Sequence, residues 1–156
     1  MLKRFIVNEM SEWKGAASRK PLVLRGARQV GKTVAARMFG ETYERFTELN
    51  LERSSDASFF KRGLSPSEII QAIKLREGIP GDSPSWLLFL DEIQECPEAV
   101  AMLRYFYEEL PHIHVLAAES LLEIALQRKH ISFPVGRVEF RYLYPMNFEE
   151  FLAATA

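Results

Sequence analysis

One stretch limits this chain to a narrow set of folds. Residues 24–33 read LRGARQVGKT: Gly26, four residues, then Gly31, Lys32 and Thr33. The apolar PLVL at 21–24 leads into it, and the helix-forming KTVAARMFGETY leads out, with Gly40 as a stop. In a loop of this kind, glycines let successive backbone N–H groups wrap an anion, and the following helix turns its positive end toward it. The spacing assigns Gly26, Ala27, Arg28, Gln29, Val30, Gly31, Lys32, Thr33 and Val34 to a phosphate cradle. Lys32 would reach the β- and γ-phosphates, and the Thr33 hydroxyl would ligate Mg2+. At ordinary residue frequencies under ~1% of chains this long match by chance. That weighs against the bland alternative, a glycine-rich turn with an exposed lysine.

The rest of the chain alternates in the same style. Residues 2–17 place Leu2, Phe5, Ile6, Met10, Trp13 and Ala17 near a helical period. RFTELNL at 45–51 reads as a strand. SPSEIIQAIKLREG opens with a capping box, Ser65 with Glu68, has Pro66 in the first turn, and is followed by Gly78. IPGDSP is a loop, and SWLLFLDE a strand buried on both faces. CPEAVAMLRYFYEEL is a helix between Pro97 and Pro111, HIHVLAAES a strand, and LLEIALQRK a helix. RVEFRYLYPMNFEEFLAATA reads as strand, turn at Pro145, then helix. This predicts an α/β fold of three layers with a mostly parallel central sheet. The 156 residues have the size of one domain spanning 1–156. The open helical pattern at its end reads as the front part of a longer protein.

A phosphate loop needs a metal-side acid on a neighbouring strand. LLFLDEIQ supplies Asp91 and Glu92 directly after four apolar residues. Asp91 would hold the metal, and Glu92 would orient or deprotonate an attacking water. The competing reading is a helix that begins at DEIQECPEA with acids in its first turn. A third group is expected on a strand lying between those two. HIHVLAAES ends in Glu119 and Ser120. Ser120 reads equally as a contact to water or phosphate and as a helix N-cap. Glu119 would repel a triphosphate unless it faces away or meets a cation.

Composition trims the alternatives. Residues 1–45 carry 10 Lys and Arg against 4 Asp and Glu, and the remaining 111 carry 10 against 17. A basic front suits polyphosphate or nucleic acid, and equally a solvated helix face beside a phosphate site. No Lys/Arg run or interleaved aromatic strip marks a nucleic-acid domain, so nucleic acid stays open as a partner. Cys96 is the single cysteine, which excludes an internal disulfide and suits a reducing, cytoplasmic setting. No apolar run reaches the ~20 residues of a membrane span. The start has acidic residues and no cleavage pattern of a signal peptide. His112 and His114 read as a strand-entry pair, not a metal site. No Asn-Lys-x-Asp guanine reader occurs.

Taken in order, LKRFIVNEMSEW, PLVLRGARQVGKT, WLLFLDEIQECP, VLAAESLLEIAL and FPVGRVEFRYLYPMNFEEFL resemble the N-terminal domain of the AAA-like "archaeal/bacterial ATPase" family of prokaryotes. The last segment is the most specific, and the resemblance covers essentially the whole chain. It implies an ATP-binding core with Walker A at 26–33 and Walker B at 87–92, and a C-terminal domain beyond. It also implies that Arg137, after Gly136, senses or contacts phosphate in cis or from a neighbour in a homo-oligomer; the plainer reading is a surface arginine at a strand start. The family usually has Gly-Ser where this chain has Glu119-Ser120. Two functions follow as expectations: an Mg2+-dependent ATPase, or a nucleotide-gated module whose output lies in another domain.

Overall fold

The computed structural model describes residues 5–81, 85–120, 132–145, 149 and 152. Its centre is a five-stranded sheet: β1 (Leu22–Gly26), β2 (Arg45–Asn50), β3 (Trp86–Asp91), β4 (His114–Ser120) and β5 (Glu139–Tyr142). The order is β2-β3-β4-β1-β5, with every pairing parallel. The helices are α1 (Phe5–Gly15), α2 (Lys32–Gly40), α3 (Ser54–Ala57), α4 (Pro66–Glu77) and α5 (Pro97–Glu109). Short 3-10 turns occupy Ser58–Phe60 and Ile93–Glu95.

The strand order sets the direction of each crossover. The crossover from β1 through α2 to β2 travels past β4 and β3 to one edge. The next two, through α4 and α5, travel back. Right-handed crossovers that run in opposite directions put their helices on opposite faces. The core accordingly divides in two. Ile6, Met10 and Trp13 of α1 and Ala35, Ala36 and Phe39 of α2 pack on Leu22, Leu24, Phe89, Leu116 and Ala118. On the other face Ile69, Ile70 and Ile73 of α4 and Val100, Leu103 and Phe106 of α5 pack on Val23, Leu88, Leu90, Val115 and Ala117. With both faces covered, β3 is buried along its whole length.

The local expectations hold with small shifts. Ser65 and Glu68 form the capping box, and Gly78 ends α4 at φ 66, a conformation that favours glycine. β4 begins at His114, two residues later than expected, because a turn from Leu110 to Ile113 takes up the residues before it. α1 ends at Gly15, so Ala17 leaves the helical period and is exposed. α3 and the 3-10 turn after it were not expected; Asp56, Phe59 and Phe60 are buried there. The helix expected over 121–129 lies outside the described residues. Of the helix expected after Pro145, Glu149 and Leu152 are described, both helical.

Of the two histidines before β4, His114 is built into the packing between α1 and the sheet. Its Nδ1 shares a 2.7 Å hydrogen bond with the Tyr43 hydroxyl, and the Trp13 ring meets it edge-on at 5.8 Å. Burial, helped by the charges of Arg19 and Lys14, lowers its pKa from 6.5 to about 4. The unfolded chain therefore binds a proton that the folded one refuses between those values. The contribution to stability is complete above pH 6.5 and is lost as pH falls toward 4. Urea unfolding at neutral pH and near pH 4.5 should show this loss in the parent and a smaller one in His114→Gln.

Candidate functional site

The site forms where β1, β3 and β4 end and the loop into α2 begins. This is the position where parallel α/β sheets open a crevice. Gln29 and Gly31 adopt left-handed backbone, φ 62 and 97, which curls the loop into the form that gathers N–H groups. Gly26 is needed for a different reason from the one expected. A Cβ there would stand 2.4 Å from the Leu143 carbonyl oxygen, because the chain leaving β5 crosses directly over it. The Leu143 N–H donates to the Arg25 carbonyl at 2.7 Å and fixes that crossing.

Lys32 is the first residue of α2 and only 6% exposed. Its Nζ donates to the carbonyls of Gly26 at 3.0 Å and Ala27 at 2.6 Å. Burial lowers its pKa, opposed by the charges of Glu92, Asp91 and Glu119. One residue on, the Thr33 hydroxyl donates to Asp91 Oδ2 at 2.8 Å. The other Asp91 oxygen accepts from the Glu92 N–H at 3.0 Å. Burial raises the Asp91 pKa, and the Thr33 hydrogen bond partly offsets this. Glu92 itself has φ 52 and ψ 49, unusual for a residue with a side chain. Ser120 Oγ lies 3.3 and 3.2 Å from its two carboxylate oxygens. Arg28, Gln29, Gly31, Lys32, Thr33, Val34, Glu92 and Ser120 enclose a cleft of about 340 Å3.

The structure thus brings together the loop, Asp91, Glu92 and Ser120. Asp91 closes β3, so the helix-start reading of the two acids does not hold. Ser120 is the last residue of β4 and its hydroxyl meets Glu92; the residues of the helix it was read as capping lie outside those described. Arg137 goes elsewhere. It precedes β5 at the opposite end of the sheet from the loop and pairs with Glu108 at 3.1 Å.

Glu119 is fully buried and does both things required of it. It faces away from the loop, and its Oε1 accepts a hydrogen bond from Arg25 Nε. The two are direct partners in the β1–β4 register. The Arg25 guanidinium lies over the Phe140 ring at 4.0 Å, with Phe133 at 5.2 Å. Burial raises the Glu119 pKa, and Arg25 opposes it; Oε2 has no hydrogen-bond partner among the described residues. Sequence reasoning missed Arg25 as this cation. It also missed Gln94, whose Nε2 donates to Glu92 Oε2 at 2.5 Å. The sequence carries no local sign for Gln94, which stands in the turn between Ile93 and Glu95 with another acid, Glu92, just before it.

A family model described as an AAA domain matches residues 18–152. Comparison of the sequence with curated proteins returns no match. Among solved structures, the chain is similar to Drosophila ORC bound to DNA, at 13% identity and TM-score 0.56, covering 92% of this chain and 43% of that one. It is similar to C. elegans PCH-2 at 12% and 0.53, covering 90% and 42%. It is also similar to the Aeropyrum pernix ORC1 protein in complex with DNA at 15% and 0.53, covering 96% and 46%. The chain therefore spans less than half the length of these structures, and at such identities the likeness is one of fold.

Removing one partner of a buried ion pair leaves the other uncompensated. Arg25→Met should destabilise the protein by ~3–5 kcal/mol, measured by chemical unfolding. The double variant Arg25→Met/Glu119→Leu should recover most of that loss.

Proposed function

Since the chain belongs to the AAA domain family, we propose that it binds ATP with Mg2+ on the 26–33 loop and hydrolyses it. The observation that carries this reading is the 2.8 Å bond between Thr33 Oγ1 and Asp91 Oδ2 with Glu92 next in the chain. A hydroxyl and a carboxylate side by side are the hard oxygen donors that suit Mg2+, which takes few protein ligands and keeps waters. Thr33 and Asp91 would hold the ion, and it would supply charge neutralisation on the β- and γ-phosphates.

The chain's own residues then divide the work. The loop N–H groups and Lys32 bind the phosphates, Lys32 exchanging its carbonyl partners for phosphate oxygens. Glu92 orients a water and takes its proton as the water oxygen bonds to the γ-phosphorus. The bond from that phosphorus to the β–γ bridging oxygen breaks, and ADP leaves with the electron pair. The Ser120 hydroxyl steadies the carboxylate. Arg137 serves such a site only from a neighbouring copy, which is the homo-oligomeric version of this proposal. No helix among the described residues is long and apolar enough to cross a membrane.

Glu92→Gln should keep MgATP affinity while single-turnover hydrolysis falls ~100-fold or more. Asp91→Asn should weaken ATP binding when Mg2+ is present and leave binding in EDTA unchanged. If parent and Glu92→Gln both bind ATP and neither releases phosphate above background, the nucleotide-gated module replaces the ATPase reading.

A further inference from the structure

We propose that Gln94 is a positioning residue: its side-chain amide aims the Glu92 carboxylate by clamping it to the tip of β4. This rests on the ATPase reading above. Gln94 sits in the 3-10 turn after β3 and is 1% exposed. Its Nε2 donates to Glu92 Oε2 at 2.5 Å, and its Oε1 accepts from the Ser120 N–H at 3.3 Å. A carboxylate only accepts and a backbone N–H only donates, so the reversed amide would lose both contacts. The network admits one orientation of Gln94.

Three features separate this arrangement from space filling. A buried amide is costly unless both ends are paired, whereas an apolar side chain would fill the turn without that demand. Glu92 stands in left-handed backbone, a conformation that persists where the surroundings over-determine it. Finally, Gln94 and Ser120 hold the same carboxylate from two sides, Ser120 through its hydroxyl and Gln94 through its amide. Gln94 is not among the residues that line the loop cleft, while Glu92 and Ser120 are. It therefore acts through Glu92, and its loss should change turnover without changing nucleotide affinity.

The test is a double-mutant cycle on the full chain, read by single-turnover ATP hydrolysis, MgATP binding and thermal melting. Gln94→Met keeps the length of the side chain and removes the amide. Turnover should fall ~10- to 100-fold, with MgATP Kd within about twofold of the parent. In the Glu92→Gln background, with no carboxylate left to aim, Gln94→Met should lower turnover by less than about twofold. Gln94→Leu also removes both amide contacts without adding a charge beside Glu92; it should show the same split and carries the test if Gln94→Met melts below the assay temperature. Equal turnover of parent and both variants overturns the proposal alone. So does an equal loss in both backgrounds, which is what a purely structural residue gives. A parent that binds MgATP without turnover overturns the ATPase reading and this proposal with it.

Discussion

The hydrogen bond from Thr33 to Asp91 joins the first turn of α2 to the end of β3, two elements far apart in the chain. It exists because β4 lies between β1 and β3 and the first crossover travels over both. Side chains alternate across a strand, so each strand end has one correct parity. Leu24 and Ala118 point toward α1 and α2, and so do the next residues of that parity, Gly26 and Ser120. On β3, Leu87 and Phe89 point the same way, and Asp91 continues them. A slip of one residue on β3 or β4 would turn Asp91 or Ser120 away from the loop to the α4–α5 face. The apolar alternation that builds the two cores therefore also aims the polar ends.

That parity explains how three carboxylates and one lysine share so small a volume. Asp91 and Glu119 are both buried, and burial raises both pKa values. They are kept apart by facing opposite sides of the sheet, and each has its own compensation. Asp91 has the Thr33 hydroxyl and the Glu92 N–H. Glu119 has Arg25, held between aromatic rings. Lys32 feels all three acids at longer range, which works against the burial that lowers its own pKa. The charge asymmetry along the chain has the same resolution. Arg25, Arg28 and Arg37 of the basic front pair with Glu119, Glu52 and Glu48 of the acidic remainder. Three of the ten cations of the basic front are thus paired within the domain.

The elements that position the site were legible because their signals are local. The loop spacing, the capping box at Ser65 and Glu68, and the apolar run of β3 each announce themselves within a few residues. Alternation of strands and helices points to a mostly parallel sheet, and the need for a third polar group places the strand ending in Ser120 between the other two, as the observed order β3-β4-β1 has it. What was not legible depends on contacts between residues far apart. Gly26 carries the signature of a phosphate loop, yet the pressure on its Cβ comes from the Leu143 carbonyl, over a hundred positions later. Gln94 looked like part of a helix start, and only the 3-10 turn brings its amide between Glu92 and Ser120. Arg137 resembled a phosphate contact because of the residues around it; the β1–β5 register puts it at the far end of the sheet.

The place of Glu119 shows how a charged residue where the resemblance implies glycine can stand beside a cleft without lining it. Glycine before Ser120 carries no demand on the opposite face. A glutamate there must find a cation within the α4–α5 side of the sheet or remain uncharged. β1 supplies one because its residue directly across the ladder is Arg25, the residue before the loop glycine. The pair lies behind the loop, so the carboxylate does not line the cleft where phosphates would sit. Its cost falls on stability instead: one carboxylate oxygen is left without a partner among the described residues. The same pair also links the last residue before the loop to the last residue before Ser120. The tips of β1 and β4 are thereby tied on the far face by an ion pair, while on the near face Gln94 and Glu92 tie the tip of β4 to the turn after β3.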